Sequence, residues 1–101
     1  MATKAKAARE GLAGLRNIGP AMLLDFKLLG ITSVADLAKE DADALYLRLC
    51  ALTQARHDPC VHDTFAAAIH QAKTGEALAW WDFTPIRKTR QQNGSFPPVN
   101  L

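Results

Sequence analysis

Two stretches of this chain are bracketed in the same way, by a proline in front and a glycine behind: Pro20 to Gly30 and Pro59 to Gly75. Proline at the first helical position sacrifices nothing, because its missing N–H would have had no partner there. A glycine takes the left-handed conformation that commonly closes a helix. Between the brackets Leu and Ala dominate, and no segment alternates apolar with polar residues over the length of a strand. The chain therefore reads as all-α. Its 101 residues suffice for one core and not for two. Hydrophobic residues make up 49% and charged residues 22%, a balance that folds.

Five helices are predicted. The first runs through Lys4–Arg16, weakened by Gly11 and Gly14, with Leu12 and Leu15 facing a core. The second starts at Pro20 and stops before Gly30, with Met22, Phe26 and Leu29 as one stripe and Leu24 and Leu28 on another flank. Ser33 caps a short third helix, with Asp36 three residues on. Asp41 or Asp43 caps the fourth, whose stripe is Leu45, Leu49 and Leu52. Asp58-Pro59 opens the fifth, with Val61, Phe65, Ala68/Ile69 and Ala72 inward. Trp80-Trp81-Asp82-Phe83 is expected to seal the bottom of the domain. From Thr84 the prolines, Gly94 and the Gln-Gln-Asn run predict an extended tail. The organisation is a basic segment over 1–9, a domain over 10–85 and a basic, proline-containing tail over 86–101. Truncation after Arg90 is expected to cost little stability.

Net charge is +2. Lys4, Lys6, Arg9 and Arg16 against Glu10 make the first twenty residues basic, and Arg87, Lys88 and Arg90 do the same at the other end. The middle is mildly acidic. Basic ends of this kind either hold phosphates or are solvated tails. No apolar run is long enough to span a membrane, and the first residues lack the apolar block of a signal peptide, so a cytoplasmic protein is expected. The two cysteines are then expected to be free thiols, buried and close together.

Cys50, His57, Cys60 and His62 fall within thirteen residues and invite a metal reading. Without a Cys-x-x-Cys, and with Cys60 and His62 pointing apart on one helix, no metal site is expected. Cys60 near a helix N-terminus has the setting for a lowered pKa, with His57 or His62 as a base, which leaves a thiol-dependent redox protein as a minor alternative. Nothing supplies an oxyanion hole, a phosphate loop or an acidic triad. No enzyme activity and no cofactor are expected.

The most chemical signal is Leu15-Arg16-Asn17-Ile18-Gly19-Pro20-Ala21. Two helices joined by a tight turn, with an apolar residue clamped between turn-formers, is how a helix-hairpin-helix is built. Such a turn buries Ile18 and leaves the Gly19 backbone open to close approach. The following helix start adds unpaired N–H groups and partial positive charge, suited to a phosphate. Contacts of this kind hold a backbone without reading sequence. A structural corner fits the same residues equally well.

Leu15–Leu37, with Leu29-Gly30-Ile31 and Val34-Ala35-Asp36-Leu37, resembles the helix-hairpin-helix module. Adding Leu45-Tyr46-Leu47-Arg48-Leu49-Cys50, His57-Asp58-Pro59-Cys60-Val61 and Trp80-Trp81, the chain over about 10–88 resembles the small bacterial pathogenicity-locus family, also labelled mitomycin-resistance proteins. The resemblance implies an all-α, five-helix, SAM-domain-like bundle with one helix-hairpin-helix, a DNA association and no established enzymatic activity. The chain also resembles the C-terminal domain of competence-regulator proteins in its Ile-Gly-Pro turn.

Two departures set the chain apart from the strongest DNA-binding hairpins: Asn17 stands for the first Gly, and Ala21 and Met22 stand where Lys or Arg is frequent. The turn Thr53–Asp58 lacks glycine and marks a degenerate second helix-turn-helix unit. The expected phosphate-binding residues are Arg16, Asn17, Ile18, Gly19 and Ala21, with Lys4, Lys6 and Arg9 as additional DNA contacts. Asn17→Gly and Ala21→Lys are expected to strengthen weak, sequence-indifferent binding. The competing expectation is a SAM-like protein-interaction module without DNA binding, using the apolar second helix, the acidic middle or the Trp80-Trp81 edge.

Overall fold

The computed structural model describes residues 11–100. They form five α-helices and two short 3-10 turns, with no strand among the described residues: α1 (Pro20–Leu29), α2 (Val34–Ala38), α3 (Ala42–Thr53), α4 (Pro59–Thr74) and α5 (Thr84–Asn93). The 3-10 turns are Leu12–Gly14, before α1, and Trp80–Phe83, leading into α5.

Local chemistry sets four of these helices. Gly19 precedes Pro20, and Gly30 ends α1 at φ +78°, where the Ile31 N–H donates to the Phe26 carbonyl (2.9 Å). That bond is the left-handed closure that satisfies otherwise orphaned carbonyls. Ser33 Oγ accepts from the Asp36 N–H (3.0 Å) and starts α2. Asp41 caps α3 through the Ala44 N–H (3.0 Å), and Asp58 caps α4 through the Cys60 N–H (2.8 Å). Each such cap stabilises a helix by about 1 kcal/mol.

The core is formed where α4 packs against α2, α3 and the Trp80–Phe83 turn, with α1 laid on α3. Phe26, Leu37, Leu45, Leu49, Phe65 and Ala68 are fully buried, and the rings of Phe26 and Phe65 meet at 5.9 Å. Burying each large side chain contributes about 1.5–3 kcal/mol. Leu52 lies outside this core, 55% exposed. The inward residues of α3 are Leu45, Tyr46, Leu49 and Cys50.

Three expectations are corrected. The described part of the predicted helix Lys4–Arg16 is a single 3-10 turn, after which Leu15 is extended (ψ 143°). Gly11 and Gly14 remove helix propensity there, although Leu15 is buried as expected. The predicted extended tail from Thr84 is instead helical to Asn93, with Pro85 in its first turn and Gly94 closing it at φ +82°. Apolar periodicity missed α5 because its inward residues are Arg87 and Arg90. Finally, the chain after Arg90 docks. Phe96 packs on Tyr46 (5.8 Å) and His62 (4.9 Å), and Val99 is half-buried with its carbonyl accepting from Arg56 (3.2 Å).

No helix among the described residues is long and apolar enough to cross a membrane.

Candidate functional site

The turn before α1 places the sequence-predicted residues in three different situations. Ile18 is half-buried against the core and fixes the turn. Gly19 and Ala21 are exposed, and a Cβ placed on Gly19 meets no heavy atom within 4 Å. Gly19 is extended (φ −111°, ψ −173°), so its backbone conformation suits any residue. The first turn of α1 carries neither an acidic residue nor a side-chain cap. Its N–H groups are left for solvent or an anion.

Arg16 and Asn17 are engaged by α4 and the chain that follows it. Asn17 takes φ +74°, one of two non-glycine residues with positive φ among those described, and its side chain points at the chain after α4. Its Nδ2 donates to the Leu78 carbonyl (2.9 Å), and its Oδ1 accepts the Trp80 N–H (3.3 Å). The Asn17 amide is therefore committed within the fold. It ties the turn to the 78–80 segment. Arg16 donates its backbone N–H to Gln71 Oε1 (2.9 Å) and its Nη1 to the Ala77 carbonyl (3.0 Å), with its guanidinium 5.8 Å from the Trp81 ring centroid. Lys4, Lys6 and Arg9 lie outside the described residues.

The Trp80–Phe83 turn thus sits beside the Asn17 turn. The Ala79 N–H donates to Asp82 Oδ2 (3.2 Å), and the two indoles meet edge to face at 5.6 Å. The expected apolar seal forms only in part: Ala79 is buried and Trp80 half-buried, but Trp81 is 56% exposed. A groove of about 540 Å³ opens here, lined by Cys60, Trp80, Trp81, Thr84, Pro85, Arg87 and Lys88. Sequence reasoning missed this groove, since its far wall is the unpredicted helix α5.

The basic C-terminus is spent largely inside the fold. Arg87 donates from Nη2 to Asp63 Oδ2 (3.0 Å), and Thr84 Oγ1 donates to the same oxygen (2.8 Å). Asp63 is fully buried. Arg90 forms a two-point bond with Asp43 (3.0 and 2.7 Å), whose Oδ1 also meets His62 Nε2 (2.6 Å). The Arg90 hydrogen bonds, foremost, hold the Asp43 carboxyl below its ordinary range. Paired guanidinium groups of this kind leave little charge for a phosphate, and of the three C-terminal bases Lys88 stands on the surface.

The cysteines differ in burial, so the expectation that both are buried holds for Cys50 alone. Cys50 is buried beside His57, whose N–H donates weakly to its Sγ (3.5 Å), whereas Cys60 is half-buried at the groove, with Arg87 Nη2 3.6 Å from its Sγ. Burial first, then the hydrogen bond it donates to the Asp58 carboxylate, pushes the Cys60 thiol up, opposite to the lowering a helix start suggested. His57 Nε2 pairs with Thr53 Oγ1 (2.8 Å) and His62 Nε2 with Asp43 Oδ1 (2.6 Å), and neither histidine is hydrogen-bonded to Cys60. Among the described residues no three His, Cys, Asp or Glu side chains converge as a metal site.

A family model described as "Pathogenicity locus" matches residues 5–89. A curated "Mitomycin resistance protein McrB" from Streptomyces lavendulae is 40% identical over 77 residues, covering 76% of this chain and 73% of that relative. No solved structure matches.

Proposed function

The chain belongs to the pathogenicity-locus family, and from that membership and the exposed start of α1 we propose that it is a non-catalytic DNA-associating protein acting in resistance to a drug such as mitomycin. In this reading the Asn17–Ala21 turn is a helix-hairpin-helix corner in a SAM-like bundle. Backbone N–H groups after Gly19 hold a phosphate of the DNA backbone, weakly and without regard to sequence. The observation that carries it is the open face at Gly19 and Ala21, free of acidic side chains and of any capping group. Arg16, exposed beside the turn with its Nη1 held by the Ala77 carbonyl, adds positive field there. Lys4, Lys6 and Arg9 add counterion release from the preceding segment.

Anisotropy of a labelled duplex at two salt concentrations tests this. With about two to four phosphates neutralised, log K falls against log salt with a slope of about −2 to −4. Gly19→Val weakens binding on every sequence alike while leaving the fold intact, because a Cβ there meets no heavy atom within 4 Å and the backbone is extended. Ala21→Lys strengthens it. Unchanged affinity in both variants refutes the reading.

One observation favours a second reading, a SAM-like protein-interaction module. Leu24 and Leu28, four residues apart on α1, are 64% and 58% exposed. Binding of a cellular protein that Leu24→Lys abolishes, with no DNA binding at low salt, would select it.

A further inference from the structure

Both tryptophans of the chain line the groove between the Trp80–Phe83 turn and α5. We propose that this groove holds an unpaired nucleotide of a DNA strand, its base against the face of Trp81 and its phosphate toward Lys88. The inference rests on the DNA-associating reading above and narrows it to strands with unstacked bases.

The first argument is the exposure of Trp81. An indole more than half in water is a large apolar surface left uncovered, two residues after the buried Ala79. Charge is the second. No carboxylate is among the lining residues, and Lys88 stands exposed on the rim. Arg87 lends no net charge because Asp63 answers it, so attraction falls to Lys88 and to Arg16, whose guanidinium lies on the Trp81 ring. An apolar peptide would use the rings and waste the cations. A nucleotide uses both, offering a π-face to stack and a phosphate to neutralise.

Size and position agree. A volume of about 540 Å³ falls within the range of small-ligand sites and accommodates one base, whereas bases stacked in a duplex present no free face. The groove is also tied to the proposed phosphate turn, since Asn17 holds the backbone at Leu78 and Trp80 and Arg16 touches Trp81. A strand gripped at the turn has a stacking platform on the neighbouring element.

Because no other residue in the chain is a tryptophan, intrinsic emission reports this groove directly. The experiment titrates the whole protein with a short oligothymidylate, a duplex of equal length and thymidine 5′-monophosphate. The oligothymidylate should quench the emission and bind tighter than the duplex. Trp81→Leu, which keeps an apolar side chain but removes the π-face, should weaken single-strand binding about tenfold and leave duplex binding unchanged. Lys88→Glu, on the exposed face of α5, should weaken single-strand binding and flatten its salt slope by about one. Equal affinity for strand and duplex, or unaltered single-strand binding in both variants, overturns the proposal while the phosphate turn is still judged by Gly19→Val. Single-strand binding lost in Trp81→Leu but unaffected by Gly19→Val keeps the groove and removes the turn. The mononucleotide binding as tightly as the strand would place a free nucleotide there, and the proposal would fall. Absence of binding to any of the three overturns both readings.

Discussion

Asn17 and Trp80 are joined across the fold: the Trp80 N–H donates to the side-chain oxygen of Asn17 (3.3 Å), while the same amide donates to the Leu78 carbonyl (2.9 Å). One side chain thus satisfies two backbone groups of a loop more than sixty residues away and sets the position of the Trp turn relative to α1. The residue that departs from glycine at this turn is a fastener.

That relationship gives Asn17→Gly a cost in stability. Glycine relaxes the left-handed φ of +74° but loses both bonds. Each bond contributes about 0.5–1.5 kcal/mol and the relaxation offsets about 1, so a net loss of about 1 kcal/mol is expected. Asn17→Asp should cost more, because a carboxylate faces the Leu78 carbonyl where a donor stood. Urea unfolding of the two variants checks the order, and a stabilised Asn17→Gly would contradict it.

Phe96 should matter to stability although it lies in the proline-rich end. Its ring rests on Tyr46 and His62 and under the Arg90 guanidinium (5.8 Å). Phe96→Ala is expected to destabilise by about 1–3 kcal/mol, below the full cost of a buried Phe because the ring is half-exposed. Truncation after Arg90 should cost at least as much. A melting temperature unchanged by either alteration would mean that the segment does not dock in solution.

The Asp43–Arg90 pair predicts an acid limb. Hydrogen bonds from Arg90 lower the folded pKa of Asp43 below its ordinary value of 3.8. The unfolded chain therefore takes up the proton first as pH falls. The stabilisation is complete above the unfolded pKa and is lost as pH drops toward and through the folded one. Arg90→Gln should be less stable at about pH 6 and should lose less further stability between about pH 5 and about pH 3. Parallel curves for variant and parent would show that another group carries the acid transition.

The two thiols should differ in reactivity by environment. Cys60 borders an open groove, yet its thiol is pushed up by burial and by Asp58, so iodoacetamide near neutral pH should modify it more slowly than an ordinary free cysteine. Cys50, 1% exposed, should react only through opening of the fold. Peptide mass spectrometry over a time course separates them. Fast alkylation of Cys60 at neutral pH would reopen the thiol-based reading.

Most helix ends were legible in the sequence because capping is local. Ser33, Asp58, Gly30 and Gly75 act on backbone groups within about four residues, and each does what its residue type predicts. Choosing Asp41 over Asp43 as the cap of α3 took the structure, which turns Asp43 toward Arg90 instead. The turn at Gly19 was legible for the same local reason, and it is as open as a glycine followed by proline suggests.

What only the tertiary structure decided involves partners far apart in the chain. Helix α5 turns Arg87 and Arg90 inward, and a buried cation leaves no apolar stripe; its signature is a carboxylate on another helix, here Asp63 and Asp43. Composition therefore counted a free basic tail where the fold holds two ion pairs. The direction of the Asn17 amide and the exposure of Trp81 are of the same kind. Local propensity fixes where helices begin and end, because those hydrogen bonds span a few residues. Which face of a polar helix turns inward depends on pairing energies that exist only once distant segments meet.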